Sequence, residues 1–235
     1  MNFRLFVIGF VLALTQGVTG QSLNSRIEAE YSIKEVASDG KKGLTLGKVF
    51  YDINKSELAH NIRFPEKELL VFRDTLIYSL KHDSIRSVGS PIQMMDFSIY
   101  HLILSNNISD FGLGQVGYRM TKVEEEGDKI VTEWRHELIP DASVVITKLE
   151  GLIDAIIFYD KDYNILAKQF YKEYQKVGRY VFPHKIYETV YAGEVERKKI
   201  TEHKNVKIDD FEDEEEFYNA FNVRIKPVLG TTPKN

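Results

Sequence analysis

Residues 167–191 read AKQFYKEYQKVGRYVFPHKIYETVY, and this stretch decides the fold. Apolar and aromatic side chains alternate there with charged ones, the period-2 pattern of strands that bury one face and wet the other. Gly178 breaks the pattern once, as the turn of a hairpin does. Two long strands joined in this way belong to an antiparallel sheet, and the apolar side of such a sheet needs a cover.

The same pattern extends outward in both directions. On the C-terminal side Gly193 turns the chain into a charged strand over residues 194–208. On the N-terminal side, residues 143–149 and 152–160 flank Glu150-Gly151, and residues 118–123 and 129–137 flank Gly127-Asp128. Five further strands are expected over residues 26–36, 44–52, 58–64, 68–72 and 75–80. In the first, Ile27, Ala29, Tyr31 and Ile33 share a face; in the second, Leu44 and Leu46 join Val49 and Tyr51 across an irregularity at Gly47. Hairpins at this spacing describe a mainly β (α+β) protein, an antiparallel incomplete β-barrel of about ten to twelve strands, and not βαβ units.

The alternation fails after Pro91. Residues 92–104, IQMMDFSIYHLIL, are apolar on every side. The spacing predicts a helix around residues 94–104, covering the sheet, with Met94 and Met95 as an adaptable apolar wall. Phe111-Gly112-Leu113-Gly114-Gln115-Val116-Gly117 then interleaves glycines with apolar residues, as a mobile or tightly turned loop does. Phe111 and Leu113 are its candidate gate residues. The glycines lack the spacing and the strand-to-helix setting of a nucleotide fingerprint.

The chain has 235 residues and no cysteine; 31 Lys and Arg face 35 Asp and Glu, a net charge of −4. This acidic balance argues against nucleic acid as a partner, which would want a basic face. Residues 1–20 combine Arg4, an apolar run over residues 5–14 and a small-residue end at Val18-Thr19-Gly20. These are the parts of a cleavable secretory signal, and the run is about half of the ~20 residues that span a bilayer. A folded domain over residues 21–210 and an acidic C-terminal tail over residues 211–235 are expected. Residues 209–216 hold seven carboxylates in eight positions, without the glycine and ligand order of a calcium loop. Phe217, Tyr218 and Phe221 lie on one side of a possible short helix.

Catalytic chemistry finds no foothold. His60, His82, His101, His136, His184 and His203 have no metal-ligand spacing, so neither a metal nor another cofactor is expected. There is no G-x-S-x-G and no S-x-x-K, and the chain is not expected to be an enzyme. What remains is apolar surface. Tyr31, Leu46, Phe64, Tyr78, Trp134, Ile157, Phe170 and Phe182, with Tyr159, are expected on the buried face, at ~25 cal/mol per Å2 of apolar area removed from water. One short helix covers little of such a sheet. These residues, with Met94 and Met95, are the expected lining of an apolar ligand cavity.

Three stretches carry a family resemblance: residues 64–78, FPEKELLVFRDTLIY; residues 171–186, YKEYQKVGRYVFPHKI, ending in an F-P-x-K-I pattern; and residues 201–211, closing on Asp209-Asp210-Phe211. Together with the leader, the meander, the apolar helix and the glycine loop, they resemble the periplasmic outer-membrane lipoprotein-carrier superfamily, the LolA-like proteins. The resemblance implies a half-barrel that takes up acyl chains of lipoproteins or other lipids in the periplasm, as a monomer. Only Ser22 to Ser25 precede the first strand, where the family has an amphipathic helix, and Thr75 stands where it has a glycine. The alternative is an envelope accessory or sensor domain of the same fold that binds a protein partner.

Overall fold

A computed structural model describes residues 25–73, 76–81, 84–89, 98–105, 110–139, 142–193, 195–211 and 213–222. The alternating segments become strands: β1 (Arg26–Val36), β2 (Lys42–Asp52), β3 (Glu57–Phe64), β4 (Glu68–Arg73), β5 (Leu76–Lys81) and β6 (Ser84–Gly89). After the helix α1 (Ile99–Leu104) come β7 (Tyr118–Glu126), β8 (Lys129–His136), β9 (Ser143–Leu149), β10 (Leu152–Tyr159), β11 (Ile165–Val177), β12 (Tyr180–Ala192) and β13 (Val195–Ile208). A second helix, α2 (Glu214–Asn219), follows.

All thirteen strands form one antiparallel sheet in the order β6-β5-β4-β3-β2-β1-β13-β12-β11-β10-β9-β8-β7. The first and last strands therefore pair in the middle, Ile27 opposite Ile208 and Tyr31 opposite His203. One wing runs outward from β1 and the other inward to β13. The sheet is open, with β6 and β7 at its two ends. This is the incomplete barrel expected, with one strand more than the upper end of the expected count. The strand the alternation missed is β6, SIRSVG, whose mixed small and charged residues show no period.

The helix α1 leaves the sheet's inner face only partly open. Ser98 caps it, its hydroxyl accepting from the His101 N–H at 3.2 Å, so α1 starts at Ile99. Met94 and Met95 lie outside the described residues. Tyr100, Ile103 and Leu104 pack with Ile27, Tyr31, Val49, Tyr51 and Phe182 on the central strands. Leu102 packs with Val144, Ile146, Ile153 and Ile156 on the second wing. A helix buried on so many sides has the all-round apolar sequence that removed it from any surface role.

The outer face has its own cover. Phe217, Ala220 and Phe221 pack on Phe50, Ala59, Val71 and Leu80, so this part of the expected tail is docked and Phe217 is fully buried. The acidic run supplies the helix start: Asp213 caps α2 by accepting from the Glu216 N–H at 2.8 Å, and Glu214, Glu215 and Glu216 occupy its first turn, where the helix dipole favours negative charge. The Arg26 guanidinium holds both oxygens of Glu214, at 2.7 and 2.9 Å, and lies over the rings of Phe211 and Phe217. Lys48 bridges Glu28 and Glu216 at 3.0 and 2.7 Å.

Candidate ligand-binding face

The inner face, under α1, combines apolar packing with a few buried polar pairs. Strand alternation brings Tyr31, Tyr51, His60, Phe182 and His203 to it. Tyr51 and His101 share a hydrogen bond of 2.7 Å between the phenol oxygen and Nδ1. Tyr100 and His203 share another of 2.9 Å to Nε2. These pairs fix the two faces of α1 to β2 and β13. Tyr100 also stacks on Phe182, centroids 6.3 Å apart.

Burial disfavours the charged forms of His203, His60, Tyr31 and Tyr100. It pushes His203 down to about 3, with help from His184 and His60, and His60 down to about 4. It pushes the Tyr31 phenol up to about 12 and raises Tyr100 further. Nδ1 of His203 and Nε2 of His184 are buried without a hydrogen-bond partner among the described residues. Among those residues no cluster of histidines and carboxylates could hold a metal ion.

Tyr31 reaches its position because Gly47 lies opposite it on β2. A Cβ there would come within 2.6 Å of the Asn61 carbonyl oxygen and 2.8 Å of the Tyr31 hydroxyl. The ring crosses that gap and meets His60 edge-on at 5.4 Å.

The residues expected to line one cavity divide between the two faces. Tyr31, Trp134 and Phe182 belong to the inner packing. Tyr78 belongs to the outer cluster beneath α2. Leu46, Ile157 and Phe170 alternate with inner residues and so face outward, while Phe64, at the end of β3, is 46% exposed. The reason for Leu46 is specific. The β1–β2 ladder runs without interruption through Tyr31 and Gly47, and the irregularity expected at Gly47 lies on its β3 side, between Leu46 and Gly47. Without a shift along β1, Leu46 and Val49 take opposite faces.

Phe111 and Leu113 are both buried in the core of the second wing, Phe111 edge-on to Tyr171. Their loop is tightly turned: Gly112 and Gly117 have φ of 71° and 87°, and the Asp110 carboxylate accepts from the N–H groups of Gly112 and Gly114 at 3.0 and 3.3 Å. An open cleft of about 300 Å3 is lined by Glu30, Ser32, Leu46, Arg63, Glu202 and Lys204 together with Tyr31 and Gly47.

Sequence reasoning missed the two Tyr–His pairs. Their members stand 50 and 103 residues apart, and no local spacing marks them.

No family model matches the chain, and no curated protein does. Solved structures do. A LolA superfamily protein of Nitrosomonas europaea aligns with a TM-score of 0.54 at 14% identity, over 81% of this chain and 88% of its own. An outer membrane lipoprotein-sorting protein domain of Vibrio parahaemolyticus aligns with a TM-score of 0.55 at 10% identity, over 83% and 90%. A DUF1329 family protein of Desulfovibrio piger does so with a TM-score of 0.55 at 14% identity, also over 83% and 90%. At these identities the likeness is one of architecture, over about four fifths of the chain. The open antiparallel sheet with α1 across its inner face is a LolA-like fold.

Proposed function

We propose that this protein is a periplasmic carrier or chaperone that takes up the acyl chains of lipoproteins or other lipids on the inner face of its sheet, for transfer toward the outer membrane. One observation carries the reading: a thirteen-stranded open sheet keeps its inner apolar face under a helix of six residues. Two core clusters meet at that helix, so moving it would expose Tyr31, Phe182 and Leu102's neighbours together. Trp134 borders the second cluster. Phe111 and Leu113 stand beside it as the gate, and Met94 and Met95 belong to the segment leading into α1. The lipoprotein-sorting description of the Vibrio domain supports this class of cargo.

The test is to extract lipid from purified protein for mass spectrometry and to titrate a fluorescent fatty acid. Saturable binding is expected, weakened at least severalfold by Phe182→Asp on the inner face and unchanged by Phe170→Ser on the outer one. No co-purified lipid together with no saturable binding would remove the proposal.

A further inference from the structure

The outer face beyond α2 carries an ordered pattern of its own. Following the ladders across the sheet, Leu44 lies opposite Lys34, Lys34 opposite Ile200, Ile200 opposite Tyr187, Tyr187 opposite Phe170, and Phe170 opposite Ala155. Each alternates with an inner residue: Lys34 with Ile33, Tyr187 with Ile186, Phe170 with Tyr171. One cross-strand row is thus apolar or aromatic over six strands, apart from Lys34. Leu44 and Tyr187 are 39% and 37% exposed.

The next row holds Lys42, Val36, Lys198, Thr189, Lys168 and Ile157 in the same registers. Lys185 and Lys172 flank the apolar row on its other side, opposite one another. The carboxylates there are Glu196, Glu202 and Asp154, paired with Lys198, Lys34 and Lys172, and Glu173, paired with Lys185. Lys42 makes no ion pair among the described residues, and Lys168 lies over the Tyr191 ring at 5.3 Å. A chain of net charge −4 thus gathers an excess of lysine beside a stripe of apolar and aromatic side chains on one broad sheet face.

We propose that this outer face docks on an anionic phospholipid bilayer, with the Leu44–Phe170 row against the headgroup boundary and the lysines on the phosphates. Aromatic side chains with one polar end suit that boundary, and lysine stems run along apolar surface while their ammonium groups reach outward. Charge complementarity selects the occupant: the excess is cationic, and an anionic membrane surface attracts it. This surface is the reverse of the face proposed to hold acyl chains, so docking and cargo uptake are separable.

The experiment uses the protein purified after export, sedimented with vesicles of phosphatidylcholine alone and of phosphatidylcholine mixed with phosphatidylglycerol. Binding is expected only with the phosphatidylglycerol vesicles and is expected to weaken as salt rises. Each lysine removed is expected to weaken it about fivefold, equivalent to about 1 kcal/mol. The triple variant Lys42→Gln/Lys168→Gln/Lys198→Gln should therefore lose on the order of a hundredfold. Arg119→Gln/Lys122→Gln/Lys129→Gln removes the same charge at the β7–β8 end of the sheet and should leave binding unchanged. An unchanged thermal midpoint shows that each variant is folded. Equal loss in the two triple variants, equal binding to both vesicle types, or no binding by the parent protein overturns the proposal, whatever the fatty-acid titration shows.

Discussion

Acidification should loosen this protein at a pH where its carboxylates are still ionised, and His203 is the main reason. Its imidazole is 3% exposed, bonded to the Tyr100 phenol through Nε2, and held at about 3 by burial against an ordinary value of 6.5. The unfolded chain takes up a proton at this residue near pH 6.5, whereas the folded chain does so only near pH 3. Between those values the unfolded state binds more protons, so stability falls as pH falls. One such group contributes a slope of about 1.4 kcal/mol per pH unit, and the full interval amounts to about 5 kcal/mol. His60, held at about 4, adds to the slope in the upper part of the window. Urea unfolding measured between about pH 7 and pH 5 reads this range, where few carboxylates titrate. Trp134, the only tryptophan, packs beside the second core cluster and serves as the fluorescence probe. Replacing the imidazole by a neutral amide, His203→Gln, should lower stability at pH 7 but flatten the pH dependence by about 1.4 kcal/mol per pH unit. Parallel pH slopes in parent and variant would refute the reasoning.

Other outcomes follow from single contacts. Gly47→Ala places a methyl group against the Asn61 carbonyl and the Tyr31 hydroxyl and should cost about 1–3 kcal/mol by urea unfolding, with Tyr31→Phe failing to rescue it because the Asn61 backbone remains. Phe217→Ala should cost about 3–5 kcal/mol because the ring is fully buried between Phe50 and Phe211, whereas Tyr218→Ala, on the exposed side of the same helix, should fall within about 1 kcal/mol of the parent.

The strands were legible because their alternation is local. Ile27, Ala29, Tyr31 and Ile33 share a face whatever the rest of the chain does, and their burial beneath α1 follows. What the alternation of one strand does not carry is its phase relative to the next. Tyr78 sits under α2 and Phe170 faces out because β5 and β11 have apolar residues on both faces, so either phase fits the sequence. Ladder register alone decides between them. The same limit applies to the acidic run. Its charge is conspicuous, but its use as the first turn of α2 depends on Arg26 and Lys48, which lie far away in the sequence. The two Tyr–His pairs depend on the placement of α1 over the sheet and could not be read from spacing at all.

The pairing of β1 with β13 sets an order on assembly. Strands 1 to 6 and strands 7 to 13 each pair with their sequence neighbours, so each wing can form from local hairpins as the chain emerges. The seam between them joins Ile27 to Ile208 and cannot exist until nearly the last residue of the sheet is available. Until then the central edges of β1 and, if the chain stops early, of β12 present unpaired backbone to any neighbouring strand. A chain terminated after residue 192 would keep both wings and still lack the strand that joins them, leaving aggregation, not partial function, as its expected fate.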